Sequence, residues 1–155
     1  MKGLSVQDEY APKSICFGCG PANEKGLKIK SYRKEEGLEM EFETSKEHMA
    51  FEGVINGGII GTLIDCHGNW TAAVALMDKL DLKEAPCTVT AQYEVKLKRP
   101  TPYDVTLFLK SRVLVIGEDR AEIIIELKAN GKTCATGRGL FVIVKEGHPA
   151  YHRWK

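Results

Sequence analysis

Long apolar runs are missing from this 155-residue chain. A membrane-spanning helix needs about 20 consecutive apolar residues. The best stretch, Ile59 to Met77, is broken by Asp65, His67 and Asn69, so no membrane span is expected. The opening MKGLSVQDEY lacks the apolar segment of a secretory signal, which predicts no export. An excess of one charge is missing too. Lys and Arg number 22 against 21 Asp and Glu, for a net charge of +1, and both signs are spread along the chain. No basic stripe exists to follow a phosphate backbone, which argues against a nucleic-acid partner. Cysteine is scarce and unpaired in pattern: Cys16, Cys19, Cys66, Cys87 and Cys134 are odd in number and irregular in spacing. Without an export signal they read as reduced thiols of a cytoplasmic protein. Cys16-x-x-Cys19 has no second cysteine pair to complete the four ligands of a structural zinc site within one chain. It is therefore expected to be a turn without metal, although two subunits together would supply four thiols. Repeats and low-complexity segments are absent.

What is present is ordinary globular material, 43% hydrophobic and 28% charged. The length fits one domain with a core that needs no staples. Residues 1–26 hold Pro12, Gly18-Cys19-Gly20-Pro21, Asn23 and Gly26, and read as an irregular N-terminal arm. Period-two alternation predicts strands over 27–32 and 38–43, with a turn at Glu35-Glu36-Gly37. After a loop over 44–56 the period changes to that of a helix over 57–78. Four strands follow: 88–98, closed by Pro100 and Pro102; 105–116; the run carrying Ala121, Ile123, Ile125 and Leu127; and 133–144, after the hairpin signal Asn130-Gly131. The tail, 146–155, is mixed basic and aromatic and is expected to pack loosely or to add an interface contact. Two strands, one long helix and four strands make an α+β chain with a six-stranded antiparallel sheet.

The helix carries the chemical information. At 100° per residue, Gly58, Gly61, Thr62, Gly68, Asn69, Ala72 and Leu76 share the face of Asp65. Leu63, His67, Trp70, Val74 and Met77 lie opposite, and this bulky face is expected to meet the sheet, with His67 and Trp70 as core residues. Interior glycine costs roughly 1 kcal/mol against alanine, so Gly61 and Gly68 imply something approaching the Asp65 face closely. A packing partner and a substrate cleft both satisfy that, and they are compatible. At the helix start Asn56 is placed to N-cap. Gly57 and Gly58 are then expected to present free N–H groups at the positive end of the helix dipole, where a developing oxyanion is stabilised.

These residues carry a resemblance. Gly53-Val54-Ile55-Asn56-Gly57-Gly58, continued to Asp65, resembles the G-x-x-H-G-G-x-x-x-x-x-x-D helix entry of hotdog-fold acyl-CoA thioesterases, in particular the phenylacetyl-CoA thioesterase type. Cys16-Phe17-Gly18-Cys19-Gly20-Pro21-Ala22-Asn23-Glu24-Lys25-Gly26-Leu27 resembles the C-F-x-C-G-x-x-N-x-x-G-L opening of one branch of that superfamily. The resemblance covers about residues 14–145 and implies a hotdog fold, a six-stranded antiparallel sheet wrapped around one long central helix, with the hotdog domain over 27–145. It implies an acyl-CoA substrate, no metal or cofactor, and a homodimer or dimer of dimers with the site at the subunit interface. Asp65 matches the carboxylate that acts as general base or nucleophile, Gly57 the glycine whose N–H polarises the thioester carbonyl, and Thr90 a hydroxyl that holds the attacking water. Asn56 stands where the family often has His, and Ala50 where some members carry a polar residue.

For a CoA substrate, cations must meet the phosphates, and Lys98 and Arg99 at the end of one strand are the candidates, with Gly58 and Thr62 lining the substrate. Two other readings stay open: a non-catalytic acyl-CoA or fatty-ligand binder, motivated by Asn56, and a hydratase or dehydratase, for which His48 alone is placed to serve.

Overall fold

The computed structural model describes residues 3–155. Ser5 caps a short helix, α1 (Val6–Tyr10), its hydroxyl accepting from the Asp8 N–H at 3.0 Å. The arm was expected to be wholly irregular; a polar cap before so short a helix leaves too little periodicity to detect. Strands β1 (Tyr32–Lys34) and β2 (Gly37–Glu43) form a hairpin. A 3-10 turn (Lys46–His48) and two short paired strands, β3 (Met49–Phe51) and β4 (Val54–Ile55), occupy the stretch read as a loop. The long helix α2 (Gly57–Lys79) follows, and then β5 (Thr88–Leu97), β6 (Thr106–Ile116), β7 (Arg120–Ala129) and β8 (Lys132–Ile143). The six-stranded sheet is antiparallel in the order β1-β2-β6-β7-β8-β5. Its inner face is written in the alternation: Ala121, Ile123, Ile125 and Leu127 of β7 are buried, as are Leu107 and Leu109 of β6. Asn130 and Gly131 both take positive φ, 53° and 74°, as the tight β7–β8 turn requires. Among the described residues no helix is long and apolar enough to cross a membrane.

The first strand starts later than its pattern suggests. Residues 27–31 do bury Ile29 and Ser31, but their backbone pairs with the arm: the Leu27 N–H donates to the Phe17 carbonyl at 2.8 Å and the Ile29 N–H to Gly18 at 3.0 Å. Period two reports which side is buried and not which backbone is the partner.

The helix is also turned relative to expectation. Its bulky face was expected to meet the sheet; of that face His67 does, against Leu38 and Ser111, but the sheet also meets Ile64, Gly68 and Thr71 to one side of it. A Cβ at Gly68 would stand 2.9 Å from Phe141 Cζ and 3.1 Å from Ile125 Cδ1, so glycine here admits the sheet. Trp70 and Cys66 are covered by the two chain ends. The α2 helix is apolar or small nearly all round, which makes it a central element packed on every side. His67 is a core histidine: Ser31 Oγ lies 2.8 Å from Nδ1, the Leu38 carbonyl accepts from Nε2 at 3.2 Å, and burial lowers its pKa to about 4.

The tail does not pack loosely. Trp154 stacks on Trp70 with ring centroids 4.2 Å apart, and the Arg153 guanidinium donates to the Thr88 carbonyl at 2.6 Å. Stacked indoles bury a large apolar area between them. Trp70 is 1% exposed. Replacing it with alanine leaves a cavity between helix and tail, and Trp70→Ala is expected to destabilise the fold by about 3–5 kcal/mol. Thermal or urea unfolding measures this, and an unchanged midpoint would mean that the tail does not cover the helix in solution.

Candidate active site

Asp65 lies on α2 where the helix faces β5, the edge strand of the sheet. The Thr90 hydroxyl donates to its Oδ1 at 2.6 Å. The β5–β8 register shifts between Thr90 and Gln92, an irregularity of the kind that re-aims a side chain beside a site. Asp65 is half-buried. Desolvation raises its carboxyl pKa above the ordinary value, the Thr90 hydrogen bond opposes that, the Cys16 charge adds to it, and the Arg153 charge opposes it. Among the described residues Oδ2 has no hydrogen-bond partner, so one oxygen is held and the other is open.

At the helix entry Asn56 Oδ1 accepts from the Gly58 N–H at 2.7 Å and the Ile59 N–H at 3.2 Å. Those two donors orient the amide and leave its NH₂ pointing outward as a donor. The expectation of two free glycine N–H groups is corrected here: the cap consumes that of Gly58, because an Asn side chain reaches the second and third helical residues. Gly57 keeps its N–H without a partner among the described residues, and it is exposed. Thr62 turns its hydroxyl onto the Gly58 carbonyl at 3.0 Å, within the helix. Leu97, at the end of β5, lies beside Gly57. Lys98 and Arg99 follow it and are exposed, with Arg99 Nε donating to the Thr133 carbonyl at 3.1 Å. His48 Nδ1 accepts from the Ser45 N–H at 2.9 Å, inside its own turn.

Two groups are thus assembled, and they are separate. Asp65 pairs with Thr90, and Asn56 caps the helix beside the unpartnered Gly57 N–H. Eight residues separate Gly57 from Asp65, about 12 Å along the helix axis.

Three features went unread in the sequence. Tyr93 Oη stands 3.5 Å from where a Gly61 Cβ would be, one helical turn before Asp65 on the same face. The only signal was Gly61 itself, which asked for a close neighbour. Arg153 reaches the Asp65 region from the tail, with no local pattern to announce it. Cys66 points away from Asp65, as the helical angle implied, and meets the arm. Its Sγ and those of Cys16 and Cys19 all lie within 4.8 Å of one another. Hydrogen bonds from Cys19 and Cys66 lower the Cys16 thiol pKa, while the same bonds raise those of Cys19 and Cys66.

No protein-family model matches the chain, and no curated protein matches it in sequence. Solved structures do match. A thioesterase superfamily protein from Shewanella loihica PV-4 is 29% identical, with a TM-score of 0.61 over 76% of this chain and 91% of that one. A hypothetical thioesterase protein with coenzyme A from Streptococcus pneumoniae TIGR4 is 14% identical, with a TM-score of 0.63 over 75% and 85%. A phenylacetic acid degradation-related protein from Ralstonia eutropha JMP134 is 18% identical, with a TM-score of 0.62 over 76% and 86%. These three neighbours are named as thioesterases or thioesterase superfamily proteins, and the architecture of this chain, a six-stranded antiparallel sheet with one long helix, is the hotdog fold.

Proposed function

We propose that this hotdog-fold chain hydrolyses an acyl-CoA thioester to the free acid and coenzyme A. The observation that carries the reading is the Asp65–Thr90 pair: a half-buried carboxylate with one oxygen held at 2.6 Å and the other open. Asp65 takes a proton from water, and Thr90 fixes the carboxylate and offers its own lone pairs to the same water. The hydroxide adds to the thioester carbonyl carbon. The charge that develops on the carbonyl oxygen is met by the Gly57 N–H and the Asn56 amide at the positive end of α2. The carbon–sulfur bond then breaks, and the proton on Asp65 passes to the departing thiolate. Asn56 cannot titrate near neutral pH, but this role asks only for a donor.

The oxyanion donors and the base are too far apart along one helix to meet one thioester. We assign the site to two copies of the chain in antiparallel arrangement, Gly57 and Asn56 of one facing Asp65 and Thr90 of the other. The exposed edge strand β5 runs beside both groups and suits such a contact. Lys98 and Arg99, beside the helix entry, are assigned to the phosphates of coenzyme A, and Gly58 and Thr62 to the substrate channel wall. The free thiols fit a reducing compartment such as the cytoplasm.

The test is thiol release from a panel of short, long and aromatic acyl-CoAs. Turnover of at least one, with a catalytic constant well above the spontaneous rate, is the expected result. Tight binding across the panel without thiol release selects the binding protein instead.

A further inference from the structure

We propose that Cys16, Cys19 and Cys66 form a three-thiolate site for one thiophilic d10 cation of the zinc class, which clamps the N-terminal arm onto α2. Two of these thiols come from a turn in the arm and the third from the helix, 50 residues later. The sulfurs of Cys16 and Cys66 are 3.9 Å apart, and all three lie within 4.8 Å of one another. A cation held about 2.3 Å from each of three sulfurs sets them about 3.8 Å apart in tetrahedral geometry. One pair is already at that spacing, and the rest need to close by about 1 Å at most.

The convergence is built rather than incidental. A Cβ at Gly18 would run into Cys66 Sγ and stand 2.8 Å from Thr62 Cγ2, so the turn admits the helix thiol only because glycine separates the two arm cysteines. Cys19 and Cys66 are 5% and 8% exposed, and Cys16 is half-buried, which leaves a way in for the ion and for a fourth ligand from solvent. The Trp70 indole N–H is a donor. It is buried without a partner meeting ordinary hydrogen-bond geometry among the described residues, and it lies towards the Cys19 sulfur. A thiol is a poor acceptor and a thiolate a good one, so a metal-bound thiolate at Cys19 offers this donor a stronger partner. Binding a dication forms metal–sulfur bonds in place of the S–H bonds, releases those protons to solvent and oxidises nothing.

The experiment uses the full chain, reduced and stripped with chelator. All five thiols are first titrated to establish the reduced state. Zinc is then added in competition with a chromophoric chelator, and cobalt(II) replaces it for spectroscopy. One ion per chain is expected, with a sulfur-to-cobalt charge-transfer band and a zinc-dependent rise in melting temperature. Cys66→Ser and Cys16→Ser should each bind at least ~100-fold more weakly, since even outer partners of a metal cost that much. Cys87→Ser, outside the cluster, should bind as the parent does. Reduced protein that takes up no zinc overturns the proposal. So does uptake that Cys66→Ser leaves unchanged, or a stoichiometry of one ion per two chains, which would place the metal between two arms. Air oxidation to a Cys16–Cys66 disulfide with no zinc uptake before it also overturns it.

Discussion

Asp65→Asn is expected to lower acyl-CoA turnover by ~10²-fold or more while the protein stays folded. The substitution is isosteric. Asn still offers a carbonyl oxygen to the Thr90 hydroxyl, which now donates to Asp65 Oδ1 at 2.6 Å. The packing around the helix is unchanged, and the one property removed is the capacity to accept a proton from water. Stability should not fall, because burial already disfavours the charged form of Asp65 and the neutral amide escapes that penalty. The two readouts are therefore opposed in kind: thiol release falls and the melting temperature holds. KM should change little, since the carboxylate meets the water and not the acyl group. An Asp65→Asn or Asp65→Ala protein that turns over at the parental rate would remove Asp65 from the mechanism. Thr90→Val would then be the next variant to examine, because it deletes only the hydroxyl that holds the carboxylate.

The second large effect is recovery rather than loss. Two inactive variants, Asp65→Asn and Gly57→Leu, are expected to regain activity when mixed and allowed to exchange subunits. A leucine at the exposed helix entry blocks the approach of the thioester to the Gly57 N–H. In a symmetric dimer with shared sites, a mixed pair has one site carrying both substitutions and one carrying neither. Random exchange of equal amounts makes half the dimers mixed, and half the sites in those are intact, so recovery should approach about one quarter of the parental rate. The geometric ground is the span of about 12 Å between Gly57 and Asp65 on one helix. A short aspartate side chain, even leaning towards the helix N-terminus, cannot bridge it. No recovery despite proven exchange, or full activity in a monomer, would mean that the donors and the base belong to separate events.

The positions of Asn56, Gly57 and Asp65 were legible because each is set by its place on one helix. A cap, a bare N–H and an angular position are local quantities, and the sequence states them directly. Thr90 was placed by resemblance, and its hydrogen bond to Asp65 depends on how β5 lies against α2. The free N–H of Gly58 was misread because the reach of the Asn56 side chain was counted as a cap without counting which donor it used. The misplaced bulky face had a deeper cause. An amphipathic reading assumes one packed side and one open side, whereas α2 is enclosed by the sheet, the arm and the tail together. Size alone could not say which of three covers each side chain would meet. Gly68 illustrates this, since it was read as room for a partner and is room for Phe141 and Ile125 of the sheet.

The sequence by itself determined the α+β class, the long helix and its cap, the strands β5 to β8 with their inward faces, and the carboxylate set among small residues. Those follow from periodicity and from rules that operate within a few residues. Only the tertiary structure decided how the helix is rotated, that Trp154 closes over Trp70, that residues 27–31 pair with the arm, and that Cys66 joins Cys16 and Cys19. Each of these is a contact between segments far apart in the chain, and at that range a pattern records that a side chain is buried but not what buries it.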